Sequence, residues 1–127
     1  MKVTRFYTGE DGRTHFQDLE IPTPRAVRGF RSQPFEVTGM LIRESAGDAH
    51  YLELHTAPQR QLILCLSGTV EIECGDGDKR RFGPGDVYLA DDLTGEGHIH
   101  REIEGPVRHA WVFLPPDMDL GIWQAMS

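Results

Sequence analysis

Three histidines and one glutamine carry the chemistry that this sequence offers. His55 closes the run "HYLELH", Gln61 opens "QLILCL", and His98 and His100 stand two apart in "GHIHREI". Imidazole, with an ordinary pKa of about 6.5, gives or takes a proton at neutral pH. Two imidazoles across a pocket, with Glu53 or Glu102 fixing a tautomer, can take a proton from one side of a molecule and return one on the other. Gln61 and Tyr51 would orient a carbonyl or hydroxyl group by hydrogen bonds. This equipment suits dehydration, isomerisation, epimerisation or ring closure. The same donors have a second reading, in which His55, His98 and either Gln61 or His100 hold a divalent ion with open positions. A third reading has no catalysis: the pocket binds a small ligand and nothing more.

Short β-rich runs must position these side chains. Glycines and prolines punctuate the chain every eight to twelve residues, the spacing of an all-β sandwich or barrel. The expected strands are Lys2–Tyr7, His15–Ile21, Glu36–Glu44, His50–His55, Gln61–Leu66, Thr69–Cys74, Lys79–Phe82, Asp86–Ala90, His98–Ile103 and Arg108–Leu114. Ser67-Gly68 reads as a hairpin turn, as do "GDGD" and "GPGD". Residues 22–34, rich in proline and arginine, read as a loop with room for a helical turn. The tail after Leu114 carries Leu120, Ile122 and Trp123, which should dock rather than stay in water.

Alternation of side chains then sorts the faces. Tyr51, Glu53 and His55 share one, Gln61 shares another with Ile63 and Cys65, and His98, His100 and Glu102 oppose Ile99, Arg101 and Ile103. Either the isoleucines face the core and the histidines face water, or the histidine face lines a polar cavity. Periodicity alone leaves both open. His15, His50 and His109 read as structural or surface residues, and Asp91 and Asp92 as turn chemistry.

The 127 residues fit one domain, and the formal charge of −7 argues against a nucleic-acid surface. No apolar run approaches a membrane span, and "MKVTRFYTGE" lacks the apolar core of a signal peptide, so the expectation is a cytoplasmic protein. A hairpin at Ser67-Gly68 would hold Cys65 and Cys74 roughly 13 Å apart along the ladder, too far for a disulfide. Both are expected as buried free thiols.

Two segments, "HTAPQRQLILCLSGTVEIE" and "RRFGPGDVYLADDLTGEGHIHRE", resemble the two motifs of the cupin superfamily. Gly68 anchors the first motif, His55 falls on its first histidine, and Gln61 stands where the family has glutamate. Ala57 stands at the second histidine. In the second motif His98 takes the histidine position and Glu102 that of the asparagine. The resemblance spans about residues 36–114. It implies an antiparallel double-stranded β-helix, a jelly-roll barrel over 36–114, with 1–35 packing on the barrel or a partner subunit and 115–127 as a tail. It implies a pocket near the barrel mouth where His55, Gln61 and His98 converge, and often a homodimer. Family members bind Fe, Mn, Ni or Zn through three histidines and a glutamate. Two of those four positions are altered here, so the metal-free acid–base reading leads. The expected catalytic set is His55, His98, Gln61 and His100, and the expected ligand-binding set is Tyr51, Glu53, Ile63, Tyr88, Glu102 and Trp111.

Overall fold

The structure, a computed structural model, describes residues 1–125. It is nearly all β. The strands are β1 (Lys2–Thr8), β2 (Thr14–Glu20), β3 (Arg25–Ala26), β4 (Gly29–Phe30), β5 (Gly39–Ser45), β6 (His50–His55), β7 (Gln61–Cys74), β8 (Lys79–Phe82), β9 (Val87–Asp91), β10 (His98–Phe113) and β11 (Gln124–Ala125). A 3-10 turn at Leu120–Ile122 is the single helical element among the described residues. None is long and apolar enough to cross a membrane.

The main sheet runs β11-β2-β1-β9-β7-β10-β5, with β6 added on β10 and β8 on β7. Its order corrects two expectations. The sheet is mixed, because β1 runs parallel to β9. No strand pairing among the described residues closes the sheet into a barrel. Residues 1–35 enter the sheet through β1, which is hydrogen-bonded inside it, and residues 22–34 hold the small β3-β4 ribbon rather than a helical turn.

Ser67-Gly68 does not turn the chain. The runs expected as a hairpin form one strand of 14 residues, β7, and the two runs after His98 form one of 16, β10. The reason is a bulge in which Gly68 alone faces residues 105–107, between the pairs Ser67–Arg108 and Thr69–Glu104. Gly68 sits at φ +79°, and a Cβ there would lie 2.7 Å from the Pro106 carbonyl oxygen. The bulge bends the strands instead of reversing them. Their first and second halves gain different neighbours: β9 and β5 near Gln61 and Phe113, β8 and β6 near Cys74 and His98. Cys65 and Cys74 therefore lie on one strand, roughly 30 Å apart along it, and both are buried and free.

The inward faces of both halves share one core: Ile63, Cys65, Val70, Ile72 and Cys74 from β7, with Phe6, Phe82, Tyr88 and Val107. A second cluster lies on the other face of the β1, β7 and β9 region. Here Val3, Leu62 and Leu89 are covered by Leu114 and Trp123, with Phe35 edge-on to the indole. Trp123 docks as expected, whereas Ile122 stays half exposed. Met126 and Ser127, the end of the expected tail, lie outside the described residues.

Candidate functional site

The inward halves of β6, β7, β9 and β10 leave a cavity of about 380 Å³. A volume of this size lies at the small end of the roughly 300–1,000 Å³ usual for small-molecule sites. Its walls are mostly apolar: Phe6, Ala57, Ile63, Ile72, Ala90 and Trp111. The polar groups on them are His55, Gln61, His98 and His100, joined by Tyr51, Tyr88, His50 and Arg43.

Strand parity settles which face of β10 looks inward. His98 pairs with Cys74 and His100 with Ile72, both core residues, so these histidines share the core face. Ile103 on the opposite face is exposed. On β6 the pairs are His55–His98 and Tyr51–His100. Thus β6 advances four residues while β10 advances two. This irregularity turns Glu53 out to solvent, away from the face that simple alternation gave it. Glu53 contributes its carbonyl oxygen, which accepts from His55 Nδ1 at 3.1 Å.

The two imidazoles meet at 4.4 Å between centroids. Gly97 makes this approach possible. It sits at φ +86°, and a Cβ would lie 2.0 Å from the His55 carbonyl oxygen, so only glycine lets the start of β10 close on the end of β6. His98 is buried, with Phe6 4.7 Å from its ring. Its Nδ1 lies 2.5 Å from Asp92 Oδ2, and Asp92 is fully buried and also accepts from Thr14 Oγ1 at 2.9 Å. An ionised carboxylate and a carbonyl can only accept, so both His98 and His55 carry their proton on Nδ1. A neutral ring held in this way keeps its lone pair on Nε2. Burial lowers the pKa of His55 below the ordinary imidazole value, with the neighbouring His98 adding to the effect, so His55 is neutral at pH 7.

A second polar group lies one step along β10. Burial, reinforced by the Arg43 charge, pushes His100 down to about 4. Glu102 does not line the cavity; its side chain has no exposure and lies behind the wall. Burial alone would raise its pKa. Hydrogen bonds from Ser45 Oγ and Arg43 Nη1, with the Ala49 amide at 3.0 Å, overcome this and hold it at about 2. Gln61 is buried at the start of β7 and lines the cavity, as do Tyr51, Ile63, Tyr88 and Trp111. Among the expected ligand-binding residues, only Glu53 and Glu102 are absent from the walls.

Besides His50, expected as structural or at the surface and found on the cavity wall, two residues of the site escape sequence reasoning. Asp92 resembles turn chemistry because it follows Asp91 at a strand end, yet it orients His98. Asp91 is also buried and ties Arg5 to Arg60. Arg43 resembles a solvated edge residue, yet it lines the cavity. No short-range motif marks either one. The Asp92–His98 pair spans a loop, and Arg43 reaches Glu102 across 59 positions of sequence.

The cavity donors that could reach an ion are His55, His98, His100 and Gln61. His55 and His98 bring two imidazoles and Gln61 a neutral amide, Ala57 brings no donor, and Asp92 is engaged behind His98. Among the described residues no group of three His, Cys, Asp or Glu side chains is placed to hold an ion.

No family model matches the chain, and no curated protein matches it. Among solved structures it is similar to the crystallised protein NMB1881 from Neisseria meningitidis. The TM-score is 0.46 at 13% identity, over 64% of this chain and 87% of that one.

Proposed function

We propose that this chain is a small cupin-type jelly-roll protein that acts as an enzyme, moving protons with His98 and His55 on a small molecule held in the cavity. The reaction is of the lyase or isomerase kind: dehydration, isomerisation, epimerisation or ring closure. The observation that carries this reading is the buried Asp92–His98 pair, its imidazole tilted against that of His55 in a mostly apolar cavity. A carboxylate on Nδ1 fixes the tautomer and stabilises the imidazolium that forms when Nε2 takes a proton. His55, neutral and held by the Glu53 carbonyl, offers a second Nε2. Gln61 on the same wall is the group to orient a carbonyl or hydroxyl oxygen.

The cupin-type architecture is supported by the two motif segments, which supply β7 to β9 and the start of β10. We further propose a homodimer through β5, the last strand of the main sheet, which leaves Met40 and Ile42 more than half exposed.

The test is proton exchange. The protein is incubated in D₂O with a panel of small carbonyl and hydroxy compounds, and deuterium entry next to the carbonyl is followed by NMR. Wild type is expected to catalyse exchange in at least one compound, and His98→Asn and His55→Ala to lower it by roughly 100-fold or more. Exchange unchanged in both variants overturns the assignment. Binding without any exchange across the panel replaces the enzyme by a ligand-binding module.

A further inference from the structure

The polar groups of the cavity are not electrically equal. His55 and His100 are kept neutral by burial, which leaves Arg43 as the one permanent cation among the residues that line it. Arg43 is 30% exposed, while its partner Glu102 has no exposure at all. Glu102 is saturated by the Ser45 hydroxyl, the Ala49 amide and Arg43 Nη1. Its charge is therefore spent behind the wall. The guanidinium still has donors to offer: it carries five N–H groups, and one hydrogen bond, to Glu102, engages it.

Neighbouring groups extend this end of the cavity. Arg43 pairs in register with His109, and Trp111 follows two residues on along the same inward face. Trp111 lines the cavity, and its buried indole N–H has no partner. His100 and His109 both have pKa values lowered first by burial, with Arg43 lowering them further and Glu102 acting against it. His98 and His100 lie two residues apart on one strand face, roughly 7 Å. Glu102, which holds Arg43, is two residues further on, so the cationic end lies past His100 from the paired imidazoles, and Ile63, Ile72 and Trp111 line the same cavity.

We propose that the cavity takes a small organic carboxylate, its anionic group on the free edge of the Arg43 guanidinium and its apolar body along Ile63 and Trp111, toward His98. A planar fork suits a carboxylate better than a point charge does. The inference rests on the reading of this cavity as the functional site, and it adds the chemical class of the ligand. Arg43 is a binding residue here, and Glu102 is the positioning residue that keeps it in place.

Trp111 reports on the cavity. The second tryptophan, Trp123, belongs to the other cluster, and a Trp123→Phe background removes its signal. Benzoate is titrated against tryptophan fluorescence, with benzamide as its neutral isostere. Benzoate is expected to give a saturable change, with benzamide weaker by at least about tenfold. Arg43→Gln/Glu102→Gln removes both charges together, so that neither is left buried and unpaired, and should weaken benzoate by at least about tenfold. Arg43→Lys should fall between. Equal affinity for benzoate and benzamide, benzoate binding unchanged in the folded double variant, or no saturable response to benzoate, phenylacetate or hexanoate overturns the proposal. His98→Asn should leave benzoate binding in place. Loss of carboxylate selectivity with exchange intact thus removes only the ligand class, and loss of exchange with benzoate bound removes only the acid–base reading.

Discussion

Replacing Glu102 by glutamine separates the charge of the clamp from its shape. Glutamine still accepts from the Ser45 hydroxyl and the Ala49 amide, but it cannot neutralise Arg43. The carboxyl titrates at about 2 in the folded protein against 4.5 as its ordinary value. Each unit of that difference is worth about 1.4 kcal/mol, so the ionised side chain stabilises the fold by about 3 kcal/mol. The folded value is the depressed one. The contribution is therefore complete above pH 4.5 and is lost as pH falls towards 2, reaching about 2 kcal/mol at pH 3.5. The same size follows from breaking a buried ion pair on one side. Urea denaturation of wild type and Glu102→Gln at pH 7, 5 and 3.5 reads the difference directly. A gap near 3 kcal/mol at pH 7 that narrows at pH 3.5 is expected. A gap that is small at pH 7, or that does not change with pH, would refute the charge clamp.

Other perturbations test the frame around the site. Gly97→Ala places a methyl group against the His55 carbonyl at a positive φ, and should cost about 1–3 kcal/mol and separate the two imidazoles, read by thermal melting and by loss of their shared ring-current shifts. Gly68→Ala should cost a similar amount through the β7–β10 bulge while leaving β1 and β2 paired, seen as a lower melting point with faster amide exchange near Thr69 and Val107. Ile42→Lys, on the exposed face of β5, should convert a dimer to a monomer in sedimentation without lowering the monomer's own stability by more than about 0.5 kcal/mol.

The sequence is legible in proportion to how local each feature is. Runs between glycines and prolines marked most of the strands, and counting by twos along "GHIHREI" put His98 and His100 on one face without deciding whether that face looks inward. The same counting failed at Glu53, because a bulge set by a neighbouring strand changes parity in mid-strand. It failed again at Gly68, where glycine between two apolar runs reads as a turn and in fact serves a bend that the facing residues 105–107 require. Asp92 and Arg43 were missed for a physical reason of another kind. Their roles come from partners brought close by the fold, and a buried carboxylate looks the same in sequence as one in a turn. The parallel pairing of β1 with β9 joins segments more than 80 residues apart, and nothing in either segment specifies the other.

The central claim is that Asp92 and the Glu53 carbonyl each hold a proton on Nδ1, of His98 and His55 respectively, leaving Nε2 as the nitrogen that serves the substrate. Nitrogen NMR of uniformly labelled protein at neutral pH, correlating ring nitrogens with ring protons, reads the tautomer of each imidazole. The account predicts the Nδ1–H form for His55 and a protonated Nδ1 for His98, the latter shifting when Asp92 is replaced by asparagine. A neutral His98 with its proton on Nε2, or a His98 spectrum indifferent to Asp92→Asn, would contradict it.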